Sequence, residues 1–338
     1  MVTALAEART RWKGAGVETP APIAGVRRTR HVFDRFGDTA LRVITAGAAI
    51  GVLVIIGGII WKVFQGARLA IDKFGISFVW DSTWNPVTEV FGAREFIIGT
   101  LVTSFGALLL AAPLSIAIGL FLSELAPQSV RGVIGSLIQM LAAVPSVVIG
   151  LWGIFVLGPF MRVHIEPFLG HNFGWIPIFS GSAQQAGILQ AIVVLMIMMI
   201  PITSSVCREL FETVPRDVKE ASLGLGTTRW ETVKGVTIPF VRGGIVAAVT
   251  LGLGRALGEA IAVTQVIGNS LRPFPLSFFG QGNTLASQLA SSYQSAPTNI
   301  ELSSLVYLGL ILLVITFVSN FVAQRIVHRF EAQLSGAK

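Results

Sequence analysis

Six unbroken apolar runs constrain this chain more than any other feature: Val43 to Trp61, Phe96 to Leu122, Gly132 to Met161, Ala186 to Val206, Gly243 to Gly268 and Leu302 to Ala323. A hydrocarbon core of roughly 30 Å takes about 20 helical residues to cross, so each run is long enough to span a bilayer. Within lipid every backbone polar group must find a partner in its own segment, which selects helices. The expected fold is all-α and integral to the membrane, with about six transmembrane helices over residues 41–326. The second and third runs carry Pro113 and Pro145, so each admits a tilt, a kink or a break into a span and a re-entrant piece. At Pro145-Ser146 a break lining a pathway and a simple kink are both compatible with the sequence.

Composition agrees, with 53% hydrophobic and 13% charged residues and a mean hydropathy of +0.73, where soluble domains are about a quarter charged. The net charge of +7 is spread over loops without an aromatic-interleaved basic patch, so no nucleic-acid partner is expected. Its distribution reads as topology. The segments up to Arg42, Glu124 to Arg131, Cys207 to Arg242 and from Gln324 onward hold 18 Lys and Arg, and the intervening loops hold 6. That asymmetry predicts a multi-pass cell-membrane protein with both termini in the cytoplasm. Residues 1–40 read as a disordered basic tail and 327–338 as a second cytoplasmic tail. The first apolar run follows some forty polar and basic residues, so it is expected to be a retained anchor rather than a signal peptide. The lone Cys207 excludes an intrachain disulfide and reads as a small residue at a helix end.

The outer segment Lys62 to Glu95, with four acids, four bases and Phe74, Phe78, Trp80 and Trp84, is expected to pack at the membrane interface. The loops Arg162 to Gln185 and Asn269 to Glu301, rich in Gly, Pro, Ser and Asn, read as gates or docking surfaces. The two halves show no evident repeat, which weighs against inverted-repeat secondary transporters.

Cys207 to Arg242 carries strong helix punctuation without being apolar enough to enter the membrane. Pro215 suits a first helical position with Asp217 in the first turn, and Leu223-Gly224-Leu225-Gly226 breaks the helix. Thr228-Arg229-Trp230-Glu231 fits a capping box that opens a second short helix, stopped by Gly235 and Pro239. The expectation is a compact helix-turn-helix on the cytoplasmic face.

Glu220-Ala221-Ser222, Gly226 six residues after Glu220, and Val236-Thr237-Ile238-Pro239 together resemble the EAA motif of ABC importer permeases. That resemblance implies a coupling segment, carried by Glu220, Ala221, Gly224, Gly226 and Pro239, that docks into a cytoplasmic ATPase subunit and transmits its closure to the pore. Ser222 stands where that family usually has Ala, a small-for-small change expected to be neutral. A narrower resemblance runs from about Phe74 to Arg325. It rests on Trp84-Asn85-Pro86, Phe91-Gly92-Ala93, Gly99-Thr100-Leu101, Ser123-Glu124-Leu125-Ala126-Pro127, Ala142 through Gly150, Gly254 through Glu259, and Thr284-Leu285-Ala286-Ser287. In this order they resemble the PstC permeases of the phosphate-specific transport system, six-helix proteins of the MetI-like type. The resemblance implies as partners a second, PstA-like permease, two PstB-like ATPases that bind ATP and Mg, and an extracytoplasmic PstS-like phosphate-binding protein.

Arg255 and Glu259 are the ionisable residues deep inside a predicted span. At about 1.5 Å per residue Arg255 lies roughly 18 Å past the start of the fifth run, where a charge costs at least about 2.5–3.5 kcal/mol and must face a partner or water. The spacing of four predicts both side chains on one helix face, with Gly252, Gly254 and Gly258 leaving the helix slender. Two readings stay open. In one the pair is an intramembrane salt bridge and Gly254 to Gly258 a GxxxG packing site; in the other the guanidinium fork meets phosphate oxygens. A carboxylate beside that anion would accept a hydrogen bond from hydrogen phosphate and repel sulfate.

The remaining candidates are structural. His164 and His171 have no ligand-spaced companions, so no metal is expected, and Met196, Met198 and Met199 read as packing or lipid-facing residues. No Lys precedes Ser or Thr, so a Walker A loop is absent and no cofactor is expected in this chain. The expected function is a non-catalytic permease subunit for inorganic phosphate. A permease for sulfate, molybdate or another small solute is the nearest alternative, ahead of a passive anion channel or ion-coupled carrier. A membrane enzyme lacks any nucleophile or acid-base constellation.

Overall fold

The computed structural model describes residues 32–335 and divides into two units, residues 1–59 and 60–338. Six helices are long and apolar enough to cross a membrane: Gly37–Val79, Arg94–Leu125, Ser146–Phe173, Ile188–Glu212, Arg229–Gly258 and Asn299–Arg329. Helix α1 (Val32–Phe74) begins in the first unit, where Val43, Leu53, Ile55 and their neighbours are exposed, as a lipid-facing span requires. Residues 1–31 of the expected tail lie outside the described residues, whereas 32–40 are helical.

In the second unit the end of α1 leads through a turn into a short antiparallel hairpin, β1 (Trp84–Asn85) and β2 (Val90–Phe91). Then follow α2 (Arg94–Leu120), extended by a π turn over Phe121–Leu125, α3 (Gln128–Ala143), α4 (Ser146–Phe173) and α5 (Ile188–Glu212). The chain continues through α6 (Arg216–Gly224), α7 (Arg229–Gly258), α8 (Ile261–Val266), α9 (Leu285–Ser292) and α10 (Asn299–Ser335). The fourth span, α5, is central, with 67% of its apolar window buried against 39% or less in every other span.

Helices in lipid gain nothing from hiding apolar surface, so close approach through small residues holds them together. On α2, a Cβ at Gly106 would stand 3.0 Å from Ile192 of α5, and one at Gly119 would stand 2.9 Å from Cys207. Cys207 is thus a buried packing residue inside α5, five residues before its end rather than at it. The start of α5 is buried too, and its first amides need acceptors. Gly187, Ile188 and Leu189 donate to the carbonyls of Val266, Gly280 and Phe278 at 2.9, 3.0 and 2.8 Å.

Those bonds draw the chain after α8 into the protein. Glu95 accepts the Phe274 amide at 2.6 Å, Thr100 Oγ1 accepts the Leu285 amide at 2.9 Å, and residues 282–288 are buried. The stretch expected as an open gate or docking loop is therefore partly core. The hairpin likewise does more than lie at an interface: Phe78, Trp84, Phe91 and Phe96 pack with Leu285, Leu305 and Leu308 into one apolar cluster. The region 162–173, expected as loop, forms the C-terminal end of α4.

Three prolines inside helical spans share one device. Pro159, Pro167 and Pro239 each sit two residues beyond a π turn, over Gly153–Leu157, Met161–Ile165 and Val233–Thr237. A π turn bonds i to i+5, so the helix passes the residue that lacks an N–H without a clash against the preceding turn. At the first of these, the Ile154 carbonyl accepts Gln185 Nε2 at 3.0 Å.

A Cβ at Gly99 would fall 1.9 Å from the Asn283 carbonyl oxygen, where backbone must yield. Gly99→Ala is expected to destabilise the fold by about 1–3 kcal/mol, read as a lower melting temperature of the purified protein in detergent; an unchanged melt would sink this account of the α2 contact.

Candidate functional site

The fifth apolar run is not one helix. It ends at Gly258, and Glu259 is extended (φ −74°, ψ 111°) before the short α8 begins. Arg255 lies in the last turn of α7 and is exposed, while the Glu259 carboxylate accepts the Ala262 amide at 3.3 Å and so covers the amide end of α8. Arg255 and Glu259 do not form an ion pair among the described residues, nor do they share a helical face. The expected shared helix face is corrected, and of the two open readings the intramembrane salt bridge is not formed, because the chain leaves helical geometry between the two residues. Gly254 and Gly258 face open space, whereas a Cβ at Gly252 would stand 2.6 Å from Thr203 Oγ1 of α5. Packing within this chain therefore uses Gly252. Arg255 at a helix C-terminus is matched to the negative end of the helix dipole.

A second break faces the first. Val144 (ψ 127°) and Pro145 (ψ 138°) are both extended, so α3 and α4 are separate helices and the third span starts at Ser146 instead of Gly132. The start of α4 packs on α8: a Cβ at Gly150 would stand 2.9 Å from the Ala262 Cα, and one at Gly153 would stand 2.7 Å from Val266. The two breaks thus flank one joint, formed by the first turns of α4 and the whole of α8.

At the other end of α7 lies the segment resembling a coupling motif. Pro215 is the residue before α6 rather than its first helical residue, and Gly226 takes a left-handed φ of +87° that only glycine adopts without strain. Glu220, Ala221, Gly224 and Gly226 are exposed, so the motif presents a free face. The capping box forms as expected, Thr228 Oγ1 accepting the Glu231 amide at 3.3 Å and Glu231 Oε2 accepting the Thr228 amide at 2.7 Å. The helix it opens does not stop at Gly235 and Pro239. It runs through the π turn into the fifth span, so the expected helix-turn-helix is α6 joined to the start of a membrane helix. From Arg229 to Arg255 the rise is roughly 40 Å, so the coupling motif and the arginine occupy opposite ends of one rod.

Two contacts here escaped the sequence reading. Lys219 Nζ binds Glu124 at the end of α2 at 2.5 Å and donates to the Phe211 carbonyl at 3.2 Å. Ser222 Oγ lies 2.9 Å from Thr227 Oγ1 and 3.2 Å from Thr232 Oγ1, themselves 3.0 Å apart. Ser222 is thus bonded to the first turn of α7, a contact that Ala could not make; the nearby threonines were the available signal. His164 stacks on Phe160, and no three His, Cys, Asp or Glu side chains converge as a metal site among the described residues.

A central buried helix, a broken span bearing an arginine and an exposed capped segment define a class. Residues 115–332 match the family of binding-protein-dependent transport system inner membrane components. The fold is that of solved importers: the inward-facing MetNI methionine ABC transporter (TM-score 0.53, 18% identity, 70% of this chain and 94% of that one) and a bacterial ABC transporter that imports alginate (0.56, 17%, 88% and 99%). Phosphate transport system permease protein PstC of Mesorhizobium japonicum is 42% identical over 88% of this chain and 91% of its own length. PstC of Haemophilus influenzae is 43% identical over 80% and 87%, and PstC 1 of Mycobacterium tuberculosis 38% over 76% and 78%. The chain belongs to these binding-protein-dependent transport permeases and, within them, to the PstC family.

Ser222→Ala leaves two hydroxyls without their shared partner, a loss of about 0.5–1.5 kcal/mol. Amide hydrogen exchange across 216–224 is expected to quicken severalfold; unchanged exchange would mean the hydroxyl cluster does not hold α6.

Proposed function

We propose that this chain is one half of the transmembrane pathway of an ATP-driven importer of inorganic phosphate. The observation that carries phosphate is the 42% identity to a PstC permease over about nine-tenths of both chains, since an arginine alone suits any oxyanion. Its partners are a second PstA-like permease, two PstB-like ATPases that hold ATP and Mg, a PstS-like phosphate-binding protein outside the cell, and membrane lipid. The chain is not itself the ATPase. The excess of Lys and Arg in the termini and in the loops at 124–131 and 207–242 supports cytoplasmic N- and C-termini, which puts the exposed face of α6 on the ATPase side. Closure of the ATPase pair moves Glu220 to Gly226 and reorients the spans, and phosphate released outside passes Arg255. The guanidinium binds phosphate oxygens in a forked, charge-assisted geometry, and the exposure of Arg255 leaves that fork open to a ligand.

Uptake of radiolabelled phosphate, with sulfate as control, tests this in cells lacking other high-affinity phosphate import and carrying this chain with its partners. Wild type is expected to give ATP-dependent phosphate uptake and an assembled Arg255→Gln complex to lose it. Undiminished uptake by the mutant would reduce Arg255 to a structural charge, and none by assembled wild type would redirect the reading to another oxyanion.

Glu259→Gln is informative because glutamine keeps the oxygen that accepts the Ala262 amide and removes only the charge. The expected result is weakened discrimination between phosphate and sulfate. An equal fall in transport of both anions would refute a role for the carboxylate in selectivity.

A further inference from the structure

Force applied to α6 must reach the spans through something, and α6 offers no buried side chain to carry it. No residue of α6 is buried, and a cleft of about 470 Å³, lined by Leu120, Leu125, Leu223, Trp230, Val233 and Thr237, separates it from the ends of α2 and α7. The chain itself joins α6 only to α5 and α7, through the Thr213 to Pro215 turn and the left-handed Gly226. Besides the Lys219 Nζ donation to the Phe211 carbonyl of α5 at 3.2 Å, two polar ties cross the gap. One is the Ser222, Thr227 and Thr232 hydroxyl cluster to α7. The other is the Glu124 to Lys219 ion pair to α2, whose side chains are only 20% and 18% exposed and stand 95 residues apart in sequence.

The α2 tie leads furthest. Glu124 lies in the π turn that ends the second span, and Arg131 Nη2 braces this corner by donating to the Ser123 carbonyl at 2.8 Å. At the opposite end the same helix is locked to the segment after α8: Glu95 to the Phe274 amide, Thr100 to the Leu285 amide, and Gly99 against the Asn283 carbonyl. That segment holds α8 in turn, the Gly282 amide donating to the Ile267 carbonyl at 3.1 Å. And α8 is the piece that begins at the Glu259 break.

We propose that the second span is the push-rod between the coupling segment and the Glu259 break, engaged at its inner end by the Glu124 to Lys219 ion pair. The inference rests on the reading of the chain as an ATP-driven phosphate permease and adds a route through a span that the coupling segment does not adjoin in sequence. Both ends of this rod are fastened by directional polar bonds, so displacement of Lys219 shifts Glu124, and with it Phe274, Asn283 and α8. Severing the pair leaves the ATPase docking face, Glu220 and Ala221, untouched. Lys219 and Glu124 are positioning residues: neither touches substrate.

The test is the whole complex in proteoliposomes, reading phosphate uptake and ATP hydrolysis together. Glu124→Gln and Lys219→Gln are expected to retain hydrolysis stimulated by the loaded binding protein while uptake per ATP falls about fivefold or more. The charge swap, Glu124→Lys with Lys219→Glu, is expected to restore that ratio, which a merely structural role would not predict. Wild-type uptake per ATP in both single variants would overturn the push-rod, as would a swap that assembles and stays uncoupled. Where the single variants do not assemble, Glu124→Asp keeps the charge and shortens the arm; reduced uptake per ATP supports the link and an unchanged ratio overturns it. Failure of the wild-type complex to import phosphate would instead overturn the proposed function, so the two failures are distinguishable.

Discussion

Backbone satisfaction in a solvent without hydrogen bonds is the constraint on which the rest of this structure depends. A continuous helix meets it alone, and any interruption must be met by protein. Several interruptions here are met. The amide end of α8 takes the Glu259 carboxylate, Val144 donates to Leu141 at the α3 terminus, and the buried start of α5 takes three backbone carbonyls from residues 266–280. This last set explains why a stretch composed like a loop is held so tightly. It caps a central helix, and being bound to that helix it cannot swing free as a gate.

Once the interruptions are fixed, position follows from small residues. Gly106 and Gly119 bring α2 against α5, Gly252 brings α7 against α5, and Gly150 and Gly153 bring α4 against α8 and α5. The central helix meets its neighbours by close approach along much of its length, which is how a bundle coheres where lipid competes equally for apolar surface. The segment around α6 has none of this: a Cβ at Gly224 or Gly226 would meet nothing within 4 Å. It is tied by one ion pair, the Lys219 bond to the Phe211 carbonyl and three hydroxyls, and no residue of α6 is buried.

The spans were legible because hydropathy over 20 residues is a sum in which local detail cancels. The breaks were not, and the prolines show why. Pro113 and Pro201 lie inside unbroken α2 and α5, Pro159, Pro167 and Pro239 ride over π turns, and Pro145 ends a helix. One residue type yields three outcomes because the freed carbonyls and the neighbouring helices decide, and a single sequence names neither. Glu259 was legible as a candidate and illegible as geometry, since a run from Gly243 to Gly268 is apolar whether or not the backbone turns within it. The coupling segment was readable in its punctuation, Gly226 and the Thr228 to Glu231 box. Its attachment was not, because Glu124 and Lys219 meet only once α2 and α6 are placed.

Arg255 carries the synthesis one step further. It is exposed on a helix whose neighbouring glycines, Gly254 and Gly258, also meet nothing within this chain. At the centre of a span lipid would cost a charge at least about 2.5–3.5 kcal/mol, and no carboxylate of the described residues lies within ion-pair reach of Arg255. A face that is slender, open and cationic on a membrane-spanning helix suits water or another protein surface better than lipid. The same glycines that meet nothing within this chain leave room for another group to approach the Arg255 guanidinium closely.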